Sequence, residues 1–351
     1  MNRFDYTRAA SIDEAVAAAG APGAIYLAGG TNLLDLMKGG IVRPNRLVDI
    51  TRIPELTETK ALPDGSFRIG ALVRNADLAH DHEFARNYPA VAEALLAGAS
   101  AQLRNAATAA GNIMQRTRCP YFYDAAGACN KRDPGAGCEA RGGATRLHAI
   151  LGWSEHCIAT HPSDFCVPLV ALGAIVEITG AQGRREIALE ALYLPPGETP
   201  EHETVLAQGE LITALRLPPH AEHFAAHSRY IKLRDRTSYA FAIVSAAAAL
   251  RFEGGMVAEA RVALGGVAAK PWRAHAAEKH LLGSQQTAEH FRQAAEAALQ
   301  GAKPSGDNAY KIELSRRIIV RALMLAAAGT QPRTAALPAS VFGVHSGAIH
   351  A

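Results

Sequence analysis

Residues 26–38 read Tyr-Leu-Ala-Gly-Gly-Thr-Asn-Leu-Leu-Asp-Leu-Met-Lys, YLAGGTNLLDLMK, and this stretch decides the fold. An apolar strand over 24–28 runs into a Gly-Gly pair, and Thr31 or Asn32 is predicted to cap a helix over 33–38. Gly39-Gly40 should end that helix. The start of a helix leaves backbone N–H groups unpaired, and two glycines let an anion approach the backbone closely. The stretch is therefore compatible with a turn that binds a pyrophosphate, although a plain turn is the better explanation when the stretch is taken alone.

A plain strand-to-helix turn explains the same letters, because Gly-Gly turns are common. The spacing is neither Gly-x-Gly-x-x-Gly nor a P-loop, so it gives no support to a doubly wound nucleotide-binding sheet. A second small-residue segment, NAATAAGNIMQ over 105–115, offers Thr108, Gly111 and Asn112. Taken alone, it suits a contact between two helices better than a cofactor site.

Composition describes an ordinary globular protein. The chain has 351 residues, 49% of them hydrophobic, and a formal net charge of +3. Charge this small and dispersed gives no reason to expect nucleic acid as a partner, and the longest apolar run, 240–250, is too short to span a bilayer. The N-terminus shows no signal-peptide pattern. We expect synthesis in the cytoplasm, with periplasmic export only alongside a partner that carries a signal.

Turn and periodicity signals divide the chain into units 1–55, 56–220 and 221–330, with a tail over 331–351. The apolar face of the last helix should carry Leu314, Ile318 and Leu325. The predicted helices are 11–19 (capped by Ser11), 33–38, 75–80, 90–99, 287–300 and 309–328. The predicted strands are 24–28, 47–50, 66–70, 174–179, 210–217, 230–233 and a hairpin of 243–252 with 257–264.

All five cysteines lie between 119 and 166, in and just after a Gly/Pro/Asp-rich stretch. Cys166 sits in an apolar run and reads as a small buried hydrophobe. For the other four, disulfides (after export), a zinc site and unrelated free thiols are open readings. The lack of a Cys-x-x-Cys pair counts against structural zinc.

Six segments in register resemble the FAD-binding subunit of the molybdenum hydroxylases, the xanthine dehydrogenase and carbon monoxide dehydrogenase family. They cover most of residues 1–330. The resemblance implies an α+β protein: a two-part FAD-binding region of the vanillyl-alcohol-oxidase (PCMH) type, then a C-terminal α+β domain of the carbon monoxide dehydrogenase flavoprotein type. The segments are YLAGGTNLLDLMK (26–38), FRIGALVRNADLA (67–79), NAATAAGNIMQ (105–115), HPSDFCVPLVALGAIVEI (161–178), GELITALRLP (209–218) and RYIKLRDRTSYAFAIVSAAAAL (229–250).

Positions carried over from the family give candidate FAD contacts. Thr108, Gly111 and Asn112 would hold the phosphate and ribitol side, and Asp164 would accept from ribose or adenine. Ile212 would pack on the isoalloxazine, and Lys232 would lie near the polar edge of the flavin. The pyrophosphate would lie on the backbone of Tyr26, Leu27, Ala28, Gly29, Gly30, Thr31, Asn32, Leu33 and Leu34. Ala110 stands where the family usually has glycine, so a backbone contact at that position is in question.

The cysteine pattern is similar to that of family members whose FAD subunit carries a [4Fe–4S] cluster, aldehyde oxidoreductases above all and 4-hydroxybenzoyl-CoA reductases next. The resemblance makes Cys119, Cys129, Cys138 and Cys157 the ligands, in an insert over about 116–160. Thiolates are the usual ligands of such clusters. Arg118 would contact a flavin phosphate and, with Arg116, Lys131 and Arg132, offset negative charge. His148, His156 and His161 are better explained as surface or supporting residues than as ligands.

These expectations describe the electron-exit subunit of a three-subunit enzyme that oxidises aldehydes. Its partners would be a molybdopterin-binding large subunit and a [2Fe–2S] small subunit, and an external acceptor would take the electrons. No catalytic acid or base is assigned to this chain. The alternatives are the flavin subunit of a xanthine dehydrogenase-like or 4-hydroxybenzoyl-CoA reductase-like enzyme, a self-sufficient flavin oxidase, and a zinc-stabilised scaffold without redox activity.

Overall fold

The N-terminal segment forms a small parallel sheet with two helices. The computed structural model describes residues 1–331 of the chain. The elements of this segment are β1 (Asp5–Arg8), α1 (Ile12–Ala19), β2 (Ala24–Leu27), α2 (Leu33–Lys38) and β3 (Arg46–Asp49). The strand order is β1-β3-β2, with both outer strands parallel to β3. Helix α1 begins as predicted, because the Ser11 hydroxyl accepts from the backbone N–H of Glu14 at 3.2 Å.

Helix α2 has the predicted bounds but not the predicted cap. Asn32 occupies the N-cap position, but its side chain accepts from no backbone N–H of its own helix and only donates from Nδ2 to Asp35 Oδ1 at 3.4 Å. Asn32 Oδ1 instead accepts from the backbone N–H of Arg116 at 2.8 Å. The predicted side-chain cap is therefore wrong, because the side-chain oxygen of Asn32 accepts a hydrogen bond from a distant segment of the chain and not from its own helix.

The middle of the chain builds a five-stranded antiparallel sheet of order β4-β5-β8-β6-β7. Its strands are β4 (Thr59–Ala61), β5 (Phe67–Gly70), β6 (Ile175–Gly180), β7 (Gly183–Ala188) and β8 (Leu211–Leu217). The helices are α3 (Asn75–His80), α4 (His82–Asn87), α5 (Pro89–Ala97), α6 (Ala101–Ala106), α7 (Ala109–Ile113), α8 (Pro120–Tyr123), α9 (Cys166–Ala171) and α10 (Leu189–Leu192), with 3-10 turns at Pro54–Leu56 and Pro219–His227. The candidate loop over 105–115 and all five cysteines thus lie between β5 and β6.

The C-terminal part is a four-stranded antiparallel sheet covered by helices. Its elements are β9 (Ser228–Leu233), β10 (Val244–Glu253), β11 (Met256–Gly265), β12 (Trp272–Arg273), α11 (His275–Leu281), α12 (Ala288–Ala298) and α13 (Tyr310–Ala327). Strand β10 is buried on both faces. Ala246 and Ala248 join the core formed with the C-terminal helices, whereas Ala247 and Ala249 join the core of the middle segment. Because side chains alternate along a strand, this alanine-rich strand lets both layers pack closely on it.

The buried face of α13 is displaced from the predicted one. Ile318 is buried as expected, but Leu314 and Leu325 are only partly buried. The helix packs against both β10 and α12, so its contact face is broader than a single stripe. The core positions of this helix are Lys311, Ser315, Ile318, Ile319, Ala322, Leu323 and Ala326.

Within residues 1–331, no helix has both the length and the apolar character to cross a membrane. The expected tail over 331–351 lies outside the described residues except for its first position. The division of the chain at 55, 220 and 330 stays a prediction.

Candidate functional site

The two candidate loops meet at Gly29. A Cβ atom added there would lie 2.0 Å from the carbonyl oxygen of Ala106, a distance that no real side chain tolerates. Glycine thus lets the turn after β2 pack directly on the end of α6. The two segments that the sequence pairs only by resemblance form one continuous surface.

The turn over 29–32 carries backbone donors that nothing else uses. Within the described chain, the amides of Gly29, Gly30, Thr31 and Asn32 donate to no protein acceptor. Gly30 has a φ of +70°, which side chains rarely adopt. Successive free amides in such a turn form a concave site for an anion.

The second segment supplies side chains and not a row of free amides. The N–H groups of Ala109 and Ala110 donate to Val73 O and Ala71 O at 2.8 and 3.0 Å. The N–H of Gly111 reaches the Thr108 hydroxyl at 3.3 Å. The N–H of Ala110 is thus committed to the protein, and a backbone contact of this position with FAD stays in question.

The side chain of Asn112 offers a free hydrogen-bond donor. Its Oδ1 accepts from Gln115 Nε2 at 2.7 Å and from the Ser163 hydroxyl at 2.8 Å. These bonds orient the carboxamide, and its Nδ2 has no acceptor in the part of the chain that the structure covers. A fixed, partly exposed NH2 group beside the turn suits a phosphate oxygen.

Asp164 and Lys232 form a buried ion pair. Lys232 Nζ lies 2.7 Å from Asp164 Oδ2, and the two side chains are 3% and 7% exposed. The Tyr230 hydroxyl donates to Asp164 Oδ1 at 2.5 Å, and Lys232 also donates to Ala97 O at 3.1 Å. Burial and the neighbouring carboxylate raise the pKa of Tyr230, so its hydroxyl stays a donor.

This pair brings together two residues that the resemblance assigns to different parts of FAD. The Asp164 and Lys232 charges touch, so the two side chains form one unit of the fold. The contacts of Asp164 with ribose or adenine and of Lys232 with the flavin edge stay predictions. Ile212, 4% exposed, packs in the core of the middle segment, and its contact with isoalloxazine stays a prediction. No sequence pattern points to Tyr230 as the partner of Asp164, because only the fold brings the two together.

The four predicted cysteine ligands line one small cavity. The side chains that face it are those of Cys119, Cys129, Cys138 and Cys157. The backbones of Cys129 and Cys138 pair in an isolated antiparallel β-bridge. All five cysteines are unpaired. Cys166 lies apart in the core, with its Sγ 3.1 Å from the Tyr193 hydroxyl, as a buried hydrophobe would. Among residues 1–331, no three or more Cys, His, Asp or Glu side chains stand close enough to share one metal ion.

Cys119 has the most polar surroundings of the four. Burial raises the pKa of its thiol to about 12, and the backbone N–H groups of Phe122 and Tyr121 act in the opposite direction. His148 Nε2 lies 3.2 Å from its Sγ. These groups can donate to a thiolate at this position once a metal replaces the proton.

The cationic side chains near the cysteines mostly pair with groups other than the cysteines. Arg118 pairs with Asp35 at 2.9 Å, and Arg116 pairs with Glu203 at 2.5 Å. Arg132 donates to backbone carbonyls of its own loop, those of Tyr121, Phe122 and Asp124 among them. Lys131 alone of the four lines the cavity. The expected phosphate contact of Arg118 therefore has a competitor in Asp35.

Two family models cover nearly the whole described chain. The FAD binding domain in molybdopterin dehydrogenase matches residues 2–220, and the CO dehydrogenase flavoprotein C-terminal domain matches residues 229–326. The chain is an FAD-binding medium subunit of the xanthine dehydrogenase and carbon monoxide dehydrogenase family. The α+β fold class and the recognition of this family are thereby confirmed, and so is its assignment as the FAD subunit of an oxidoreductase.

Relatives of this FAD-binding subunit extend over its full described length. The aldehyde oxidoreductase FAD-binding subunit PaoB of Escherichia coli K12 is 47% identical over 325 residues, which is 92% of this chain and 98% of the relative. The carbon monoxide dehydrogenase medium chain of Hydrogenophaga pseudoflava is 29% identical over 92% of this chain and 96% of its own. The solved carbon monoxide dehydrogenase from that organism superposes with a TM-score of 0.73 at 30% identity, covering 93% of this chain and 98% of its own.

Proposed function

We propose that this chain is the electron-exit subunit of a three-subunit molybdenum hydroxylase that oxidises aldehydes. Electrons would come from a molybdopterin-binding large subunit through a [2Fe–2S] small subunit and leave from this chain to an external acceptor. The observation that carries the proposal is the turn over 29–32, whose free amides meet the loop of Asn112 in a member of an FAD-binding family. The 47% identity to an aldehyde oxidoreductase subunit favours aldehydes over xanthine or 4-hydroxybenzoyl-CoA.

The residues present fit the pyrophosphate of FAD. The amides of Gly29 to Asn32 would hold the pyrophosphate, and Asn112 Nδ2 would donate to a phosphate oxygen. Lys232 would stand at the polar edge of the flavin, held there by Asp164 and by the carbonyl of Ala97. FAD, when bound, exchanges electrons singly or in pairs and so joins one-electron carriers to a two-electron acceptor.

We further propose that Cys119, Cys129, Cys138 and Cys157 hold a [4Fe–4S] cluster. Their shared cavity supports this, as do the donors around Cys119. A cluster of four irons spreads its thiolates farther apart than a tetrahedral ion does. Thiols that face one cavity without converging on one ion therefore suit the cluster better than zinc. The cluster would brace the insert or relay electrons.

The test is the composition and visible spectrum of the full chain, co-expressed with its partner subunits and purified without oxygen. We expect the oxidised-flavin bands, a broad brown shoulder, one FAD per chain, and about four irons per chain beyond those of the [2Fe–2S] small subunit. Flavin with only the iron of the small subunit would remove the cluster and leave the flavin assignment. A colourless protein that stays colourless when FAD is added would contradict the proposal.

Two alternatives give different results in the same experiment. A zinc-stabilised scaffold would contain zinc and neither iron nor flavin. A self-sufficient oxidase would turn over a substrate steadily without the other two subunits. Assays of the complete complex with aldehydes and with xanthine identify the substrate class.

A further inference from the structure

We propose that Asn32 and Arg118 couple the flavin site to the cysteine insert, so that each bound group strengthens the binding of the other. The inference rests on the proposed function, since it needs FAD on the turn over 29–32 and a cluster between the four cysteines. It assigns to these two side chains a positioning role between the sites.

Asn32 belongs to both sites at once. Its backbone amide is one of the free donors of the turn, whereas its side-chain Oδ1 accepts from the N–H of Arg116 at 2.8 Å. Its Nδ2 lies 3.4 Å from the Tyr123 hydroxyl. Arg116 leads into Cys119 and Tyr123 follows it closely, so the insert holds the turn from both sides of its first cysteine. Without the insert, the turn loses these contacts.

Arg118 makes the second connection. It precedes Cys119, and its Nη1 lies 2.9 Å from Asp35 Oδ2 and 2.7 Å from the Tyr123 hydroxyl. Asp35 stands in the first turn of α2, directly after the free amides. A partly exposed ion pair contributes little stability by itself. Its consequence here is orientation, because it ties the start of α2 to the residue beside a proposed ligand.

Apolar packing joins the same two parts. Leu36 of α2 and Ile41 form one buried cluster with Phe122 and Cys129, and Cys119 packs at its edge. The buried face of α2 therefore rests directly on two of the proposed ligands. Movement of the cysteines is transmitted to α2 through contacting side chains and so to the turn before it.

The thermodynamic consequence follows from linkage. Metal binding and local folding are coupled when the site is not preformed, so loss of the cluster loosens the insert. A loosened insert no longer orders the turn. The free energy needed to order the turn then opposes FAD binding and lowers the affinity. Coupling is reciprocal, and factors of about 5 to 150 in affinity are typical.

The experiment measures FAD affinity of the deflavinated complex in two states, with its iron present and after anaerobic removal of iron by a chelator. We expect FAD to bind about 5- to 150-fold more weakly without iron. We also expect saturating FAD to slow iron release to the chelator. Both effects should shrink in the double variant Asn32→Ala/Arg118→Met, which removes the two polar connections, keeps the backbone amide of residue 32 and leaves the apolar packing in place. An iron effect as large as in the unmodified complex would show that these two side chains do not carry the coupling.

Two control variants separate this coupling from a general loss of stability in the N-terminal segment. Arg8→Met breaks a 3.1 Å pair with Asp49 in the same small sheet, away from the insert, and should leave the iron effect unchanged. Arg118→Lys keeps the charge and should retain most of the effect. Equal FAD affinity with and without iron, in a complex that binds both, overturns the coupling and leaves the proposed function standing. Purified complex without flavin overturns the proposed function and the coupling with it, whereas complex with flavin but no cluster iron in this chain overturns the coupling and leaves the flavin assignment.

Discussion

At the residue scale, the chemistry depends on pairs that are remote in sequence. Asn32 and the backbone of Arg116 are 84 residues apart, and Asp164 and Lys232 are 68 apart. The sequence identified Asn32, Asp164 and Lys232 individually through resemblance. It assigned Asn32 a side-chain helix cap, which is wrong, and it indicated no partner for Asp164 within the chain, because no local pattern encodes which segments meet after folding.

Gly29 gives the sharpest test of the turn. Gly29→Ala would place a methyl group against the Ala106 carbonyl and force the two loops apart. We expect FAD affinity to fall at least about tenfold, which is 1.4 kcal/mol, as measured by fluorescence titration. Gly20→Ala is the matched control, because its added Cβ meets nothing closer than 3.5 Å. Unchanged affinity in Gly29→Ala would show that the close contact of the loops is not needed.

The buried ion pair of Asp164 with Lys232 predicts a large loss of stability when one of the two charges is removed. Asp164→Asn leaves the Lys232 ammonium buried without its counter-charge, and removing one partner of such a pair costs about 3–5 kcal/mol. Urea unfolding of the apoprotein measures this. The control is Asp235→Asn, whose partner is the exposed Arg146, and its loss of stability should be much smaller because solvent screens that pair. Similar losses in both variants would contradict the account of the Asp164 site.

At the element scale, elements with clear periodicity or clear end signals could be predicted. The hairpin of β10 and β11 and the helices α12 and α13 lie within one or two residues of their predicted bounds, and the six-residue helices α2 and α3 have the predicted ones. No bounds could be predicted for α6 and α7, because five or six residues show little periodicity and, unlike α2, neither helix is ended by a Gly-Gly pair. The insert is held by such short elements and by contacts with α13, so its shape was not predictable.

Lys311 of α13 fastens the insert to the C-terminal domain. It is fully buried, and its Nζ donates to the carbonyls of Leu147, His148 and Gly266 at 3.1, 2.8 and 2.6 Å. Lys311→Met removes three bonds and leaves buried carbonyls unsatisfied. We expect a loss of about 1–3 kcal/mol for each carbonyl that finds no water. The exposed Lys279→Met serves as the control.

The same lysine predicts a pH dependence. Burial lowers the pKa of Lys311 from 10.5 to about 7. Between those values the unfolded chain holds a proton that the folded protein has released, so the free energy of unfolding rises with pH. Lys311→Met should flatten this rise above pH 7 in urea titrations. If the free energy of unfolding of Lys311→Met rises with pH as steeply as that of the wild type, another group causes the pH dependence.

At the scale of the whole molecule, the fold class and family could be predicted because six segments kept their order and spacing. Their order says which family the chain belongs to, and the match to both domains confirms it. It does not say how far the cysteine insert reaches. That insert contacts α2 on one side and α13 on the other, which makes it a connection between the N-terminal and C-terminal parts.

The most direct test of the account is a cryo-EM map of the assembled enzyme with its flavin bound. We predict the two phosphates of FAD within hydrogen-bonding distance of the amides of Gly29 to Asn32, and the flavin ring beside Lys232. Density for the dinucleotide elsewhere in the subunit, with those four amides contacting only solvent, would contradict the central claim.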